Sequence, residues 1–421
     1  MGRKAEGAVI VRHPDVRSTV STADCYHVAA LFCALQLMVS GQLCAATKFA
    51  LPAPAGTLRR AMIKYLGSKR LLVPHIVAAV AALPEVRTVV DLFSGTSRVG
   101  HALKARGYRV LSNDHCAYAA VLARCYVQAD RDDVVAAAAR ELEHLAAVAP
   151  APGWFTRTFA EEGRYLQPRN AARIEAIRRA IAARAHPPEL EAVLLTSLLE
   201  AADRVDSTTG VQMAFLKRWS ARSANDLELR LPAVLPRAAA GKGEAYERDA
   251  LEAAHLLAGD VAYVDPPYNQ HSYLGNYHVW ETLVRFDAPE VYGVAKKRVD
   301  CRVRRSAFNS RRQAPQAFAA LLGAVRARHL VVSFSDEGHF APQQVAAMLA
   351  GRGRVWALGC DYPRYVGARI GIYNPRGVKV GAVSHVRNRE FLFVASDDRR
   401  AGTRLRAAGF RPAAEALATG S

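Results

Sequence analysis

Residues 261–268 read Val-Ala-Tyr-Val-Asp-Pro-Pro-Tyr. Four β-favouring residues run straight into Asp265, and the two prolines after it cannot continue a strand. A short run of this kind bounded by prolines predicts a strand buried on both faces, as in a parallel sheet. In open α/β sheets the carboxyl ends of such strands are where ligands bind. The residue types at this end define a chemistry. Asp265 offers a carboxylate, Pro266 a backbone carbonyl with locked φ and no N–H, and Tyr268 an aromatic face. Two acceptors beside one stacking surface suit a flat ring bearing an exocyclic amino group. A strand closing in a capped Pro-Pro turn would use the same residues structurally.

Asp265-Pro-Pro-Tyr268 at a strand end resembles motif IV of the amino-methyltransferases, which methylate adenine N6 or cytosine N4 with S-adenosylmethionine. The run from Asn269 through Tyr273, Asn276-Tyr277-His278 and Trp280-Glu281 is similar to the Dam-related N6-adenine DNA methyltransferases in particular. Upstream, Lys64-Tyr65-Leu-Gly67-Ser68-Lys69 resembles the family's motif X, and an apolar-periodic stretch from Leu71 to Leu83 predicts the next helix. Thr88-Val-Val-Asp91-Leu-Phe93-Ser-Gly95-Thr-Ser97-Arg-Val-Gly100 reads as strand, turn and helix start, and resembles methyltransferase motif I. No Gly-Lys-Ser/Thr comes after it, as a nucleotide-triphosphate loop would need. Gly95 lets the backbone approach a ligand closely, and Asp91 can accept from the cofactor's methionine ammonium group. Ser97 is bulkier than the glycine or small residue usual in the family. Arg109 to Asp114 predicts a second strand whose terminal carboxylate is placed for ribose hydroxyls, or for capping the helix that begins near Ala117. Tyr246-Glu-Arg-Asp249 resembles motif III, where an acid contacts the cofactor's adenine; Asp260 is a weaker competitor. The resemblance thus implies cofactor contacts from Tyr65, Lys69, Asp91, Phe93, Gly95, Asp114, Asp249 and Asp265, with Asp265, Pro266 and Tyr268 as catalytic residues.

Between these motifs, residues 151–243 depart from strand–helix alternation. Aromatic and basic residues surround Trp154-Phe155, Arg164-Tyr165 and Phe215-Leu-Lys217-Arg218-Trp219, and a helix is expected from about Glu189 to Arg204. The Dam-like order puts target recognition here, and arginines beside aromatics suit phosphate contact and base stacking. A second basic segment runs from Arg302 to Arg312. Lys217, Arg218, Asn269, Tyr277, Arg304 and Arg305 are the expected DNA contacts. His329 to Ser335, Val355 to Gly359 and Glu390 to Ala395 predict three further strands, and Ser333 to Gly338 resembles a family motif lining the base pocket.

The chain has 421 residues and a formal net charge of +19, so a polyanionic partner is expected. Seven scattered cysteines, with no Cys-x-x-Cys pair, argue against a zinc site or a disulfide framework and for a reducing cytoplasm. After residue 60 nothing approaches a sustained membrane span. The expected fold class is α/β, a doubly wound, Rossmann-like methyltransferase sheet with a helical target-recognition insertion. By resemblance the sheet has seven strands, the last antiparallel. The expected organisation is an N-terminal extension over 1–61, a catalytic domain over 62–149 and 244–396, the insertion over 150–243 and a basic flexible tail over 397–421. Within the extension, Val28 to Ala46 is apolar and Ala/Leu-rich, readable as a secretory h-region or as an appended helix or upstream-extended gene; Met62 looks like a natural start.

The expected activity is methyl transfer from S-adenosylmethionine to adenine N6 in flipped-out bases of double-stranded DNA. Absence of a Pro-Cys motif disfavours cytosine C5 methylation, which needs covalent attack. N4-cytosine methylation more often carries Ser at the position of Asp265, and protein glutamine methylation carries Asn. A non-catalytic DNA-binding protein would have lost one of Asp91, Asp114, Asp265 and Tyr268. The expected partners are double-stranded DNA and a cognate restriction endonuclease.

Overall fold

The computed structural model describes residues 62–418 apart from 364–371, 374–378 and 382–386; the extension over 1–61 lies outside them. Strands β1 (Thr88–Asp91), β2 (Arg109–Asp114), β3 (Glu244–Glu247), β4 (Ala258–Val264), β5 (Arg326–Ser335), β6 (Arg354–Pro363), β7 (Arg387–Ser396) and β8 (Arg411–Pro412) form one sheet, in the order β8-β6-β7-β5-β4-β1-β2-β3. Strands β1 to β5 run parallel, and β7 lies antiparallel between β5 and β6. This is the expected α/β sheet, with β8 added as a short edge strand.

Residue alternation explains why the central strands sit where they do. Along β4, Val261 and Tyr263 enter the core beneath the helices Val73–Ala82 and Arg98–Lys104. Ala262 and Val264 enter the opposite core, beneath Ala250–Leu256, Ala314–Ala324 and Pro342–Leu349. Val89 and Val90 of β1 divide between the same two cores. A strand covered on both faces has no use for polar alternation, which is why residues 261–264 look uniformly strand-like.

A third core is all-helical. It joins Ala117–Ala123, Arg131–Ala146, Pro168–Ala183, Pro188–Val205 and His278–Arg285, with Phe155, Phe159, Leu194 and Leu198 fully buried. Prolines at the first turns of Pro168–Ala183 and Pro188–Val205 start these helices, where the missing N–H costs nothing. Within the expected insertion, residues 154–205 are largely helical, and 206–243 are irregular apart from the short turn Ala221–Ala224. The insertion shares its core with helices on either side of the expected boundaries, so it is not a separate lobe.

The tail corrects its expectation. Residues 397–418 carry the helices Ala401–Ala407 and Ala413–Ala418 around β8, and Ala401, Leu405 and Phe410 are fully buried. A composition rich in Ala, Gly and Arg hides three apolar positions that are enough to dock it against the sheet. Among the described residues no helix is long and apolar enough to cross a membrane.

Candidate active site

The parallel strands end together, and their last residues open onto a cleft with about 620 Å³ of empty space, open to solvent, lined by Asp91 of β1, Asp114 of β2 and Asp265 just past β4. Asp91 is 1% exposed, and neither carboxylate oxygen has a full hydrogen-bond partner. Burial raises its pKa from 3.8 to about 8, Asp265 and Asp114 add to the rise, and the Phe93 amide offsets little of it. An orphaned carboxylate facing a cavity is costly to a folded chain, and it is complementary to a cationic ligand group. Asp114 is better satisfied: Oδ2 accepts from Gly95 N at 3.0 Å and Oδ1 from Cys116 N at 3.0 Å. It braces the glycine turn and the residue before the helix Ala117–Ala123 while still lining the cavity. Burial raises its pKa as well.

The turn itself needs positive φ twice, at Gly95 (φ 50°) and Ser97 (φ 59°). A Cβ at Gly95 would stand 3.2 Å from the Tyr65 ring, so glycine lets Tyr65 close over the turn. Ser97 takes the left-handed conformation at a cost of about 1–2 kcal/mol, the physical reason a glycine suits this position.

Asp265 is held by a charged relay. Lys69 Nζ lies 3.1 Å from Asp265 Oδ1 and 3.0 Å from Glu390 Oε2, and the lysine is 6% exposed. Tyr268 OH donates to the other Glu390 oxygen at 3.2 Å, with Lys69 Nζ 5.3 Å from the centre of its ring. Burial, opposed by Lys69 and reinforced by Glu390, brings the Asp265 carboxyl to about 6. For Lys69 burial disfavours the charge, and Asp265, Tyr268 and Glu390 together outweigh it, so the ammonium is held. Pro266 is buried at the strand end. Above them Tyr65 is sandwiched between Tyr273 (5.2 Å, 15°) and Tyr277 (4.6 Å, 13°).

A second cleft, with about 960 Å³ of empty space open to solvent, shares Phe93 and His115 with the first and continues past Asp249 to Phe308 and Arg305. Asp249 uses Oδ1 to cap the helix Ala250–Leu256 by accepting from Leu251 N at 2.8 Å. Phe308 meets Phe93 edge-on at 5.3 Å. Tyr65, Lys69, Asp91, Phe93, Gly95, Asp114 and Asp265 therefore converge on one cleft, with Asp249 at its far end. Among the described residues Asp114, His115 and Cys116 are close enough to hold a metal ion. Asp114 already accepts two backbone N–H groups there.

The residues expected on DNA divide. Lys217, Arg218 and Arg305 are exposed, and Asn269 is half-buried, its Oδ1 accepting from His271 N at 3.0 Å. Tyr277 is corrected: it is 1% exposed, stacks on Tyr65, and its OH accepts from Leu66 N at 2.6 Å. Arg304 is corrected too. It donates to the fully buried Glu281 at 2.9 Å and to His115 O at 2.7 Å, tying the basic segment to the cleft wall. A sequence shows an arginine-dense run, and cannot show that a buried carboxylate has claimed one of its members. The clearest site residue missed by the sequence reading is Glu390. Its one signal is a carboxylate opening the apolar run 391–395. Tyr273, which roofs the first cavity, was legible only as part of a family-like run.

The D12 class N6 adenine-specific DNA methyltransferases match residues 65–323 of the chain. The modification methylase StsI of Streptococcus sanguinis is 28% identical over 303 residues, which are 68% of this chain and 46% of that protein. The type II methyltransferase M.FokI of Planomicrobium okeanokoites is 29% identical over 309 residues, 69% of this chain and 47% of that protein. M.NlaIII of Neisseria lactamica, a type II methyltransferase, is 28% identical over 283 residues and is covered to 83%. Against the first two, the chain spans about half of the relative's length.

Proposed function

Because this chain belongs to the D12 class N6 adenine-specific DNA methyltransferase family, we propose that it transfers a methyl group from S-adenosylmethionine to the N6 amino group of adenine in duplex DNA. The observation that carries the reading is the pairing of Asp91 with Asp265. A buried carboxylate at the end of β1 and a half-buried one just past β4 face one cavity, the first orphaned and the second leading into Pro-Pro-Tyr.

The cleft fits the cofactor. Asp91 would hold its ammonium group, Asp114 its ribose, and Phe93, Phe308 and Asp249 its adenine; when bound, it supplies a sulfonium methyl. The protein's part is to present the acceptor nitrogen. The N6 lone pair of adenine is delocalised into the ring, so the amino group is a poor nucleophile. Hydrogen bonds from its two protons to the Asp265 carboxylate and the Pro266 carbonyl localise that pair on nitrogen, and no covalent intermediate with the protein is needed. Asp265 must be ionised to accept, and with its pKa near 6 it is ionised at neutral pH. The base leaves the duplex at a cost of a few kcal/mol, and stacking on Tyr268 returns about 1–3 kcal/mol. Exposed Lys217, Arg218 and Arg305 would meet phosphates, and the segment 150–243 would read the target.

Relatives named modification methylases and type II methyltransferases support reading the chain as the modifying half of a restriction–modification pair, acting in the cytoplasm. The test is to map methylated bases in DNA from cells expressing the full chain, beside an Asp265→Ala control. N6-methyladenine at one short sequence, absent from the control, is expected. N4-methylcytosine, or no modified base, would overturn the reading.

A further inference from the structure

The order of the sheet has a consequence at the active site. Parallel strands deliver only their last residues to the ligand-binding edge, and an antiparallel strand delivers its first. Glu390 opens the apolar part of β7 and pairs with Ser335 at the end of β5, so it reaches the edge where Asp91 and Asp265 stand. Its side chain is 8% exposed and both oxygens are engaged, Oε2 with Lys69 Nζ at 3.0 Å and Oε1 with Tyr268 OH at 3.2 Å. Lys69 Nζ lies almost equidistant from Asp265 Oδ1, at 3.1 Å.

We propose that Glu390 is a positioning residue for methyl transfer, which divides the Lys69 ammonium between two carboxylates and fixes the Tyr268 ring by its hydroxyl, so that Asp265 stays an effective acceptor for the amino proton. This rests on the function proposed above. Left alone with Asp265, Lys69 would form a closed neutral pair and drain the carboxylate that the amino group needs. With Glu390 present, the cluster of one ammonium and two carboxylates keeps a net negative charge. The same carboxylate explains why a tyrosine stands at position 268, since a phenylalanine would leave Oε1 without that donor.

Asp265 is faced by Lys69 from the turn Lys69–Leu71, by Asp91 from β1, by Glu390 from β7, by Tyr263 within β4, by Tyr268 from the loop after β4, and by Tyr273 from the short helix Tyr273–Asn276. Of these, Lys69 lowers the Asp265 pKa and Glu390 raises it. Removing the Glu390 charge therefore lowers that pKa and moves the acid limb of activity to lower pH. Loss of packing alone would leave the limb in place.

Glu390→Gln keeps the size and the acceptor for Tyr268 while removing the charge. Single-turnover transfer from labelled S-adenosylmethionine to duplex DNA is measured from pH 5 to 9 with the full chain and saturating cofactor at every pH, so that proton loss from Asp91 on cofactor binding does not set the acid limb, alongside cofactor affinity and melting curves. The expected result is near-normal cofactor affinity, a rate lowered about tenfold or more at neutral pH, and an acid limb shifted down by about one pH unit. A rate within threefold of wild type with an unmoved acid limb would overturn the proposal. If the Gln variant melts far below wild type, Glu390→Met, which removes the charge and the Tyr268 acceptor together, is judged on the acid limb alone. If the wild type methylates no adenine, the proposed function fails by itself. Glu390 is then judged by carbon NMR titration of Asp265 in wild type and Glu390→Gln: a lower midpoint in the variant supports its role, and equal midpoints refute it.

Discussion

Replacing Asp91 with asparagine should make the ligand-free protein more stable and the cofactor complex much weaker. The carboxyl titrates at about 8 in the fold against an ordinary 3.8, a gap of about four pH units. At about 1.4 kcal/mol per unit, the ionised form costs the folded chain up to about 6 kcal/mol. The sign comes from the raised pKa. The fold binds this proton more tightly than the unfolded chain does, so this group's contribution to stability is fully present below about pH 4 and is lost as pH rises to about 8. Asparagine removes that decline and brings a polar amide whose own unmet bonds cost about 1–3 kcal/mol, leaving a net gain of about 3 kcal/mol at pH 8. Melting curves at pH 6 and 8 should show the gain growing with pH. Cofactor binding should change in the opposite sense. A hydrogen-bonded pair with an ammonium group contributes about 1.5–3 kcal/mol, so affinity should fall by about tenfold to over a hundredfold. Because the wild-type carboxyl must lose its proton to bind, calorimetry between pH 6 and 7.5 in buffers of different ionisation enthalpy should record close to one proton released per cofactor, and none for the variant. A variant that binds as tightly as wild type, or a wild type that releases no proton, would show that Asp91 does not receive the ammonium group.

Further outcomes are expected at Asp265, at Tyr268 and at two arginines. Asp265→Ala should abolish methyl transfer and leave cofactor affinity within a few-fold of wild type; activity within about tenfold, a loss of at most about 1.4 kcal/mol, would remove it from the mechanism. Tyr268→Ala should lose about 1–3 kcal/mol of transition-state stabilisation in single-turnover assays. Tyr268→Phe should keep the stacking face and lose less, and equal losses in two folded variants would argue against stacking. Arg304→Ala leaves the buried Glu281 short of one partner and should lower the melting temperature. Arg218→Ala, at an exposed site, should leave melting unchanged and flatten the salt dependence of DNA binding; the reverse pattern would exchange their roles.

Much of this protein is legible along the chain because its chemistry is local. Asp265-Pro-Pro-Tyr268 and Asp91 to Gly100 each place a strand end, a turn and the reactive side chains within a dozen residues, so period, proline and glycine identify both the sheet and the edge it binds on. Contacts between residues far apart in sequence are legible only in the folded chain. Glu390 reaches Lys69 across 321 residues because β7 enters the sheet antiparallel. Tyr277 is drawn into a stack with Tyr65, and Arg304 onto Glu281, because buried rings and carboxylates take the nearest partners that the fold provides. Composition marks a residue as basic or aromatic, and solvent access decides whether it meets DNA or the core. That access is a property of packing, which residues 397–418 also illustrate: Leu405 and Phe410, sparse among polar neighbours, are buried against the sheet because the fold leaves an apolar face there for them to cover.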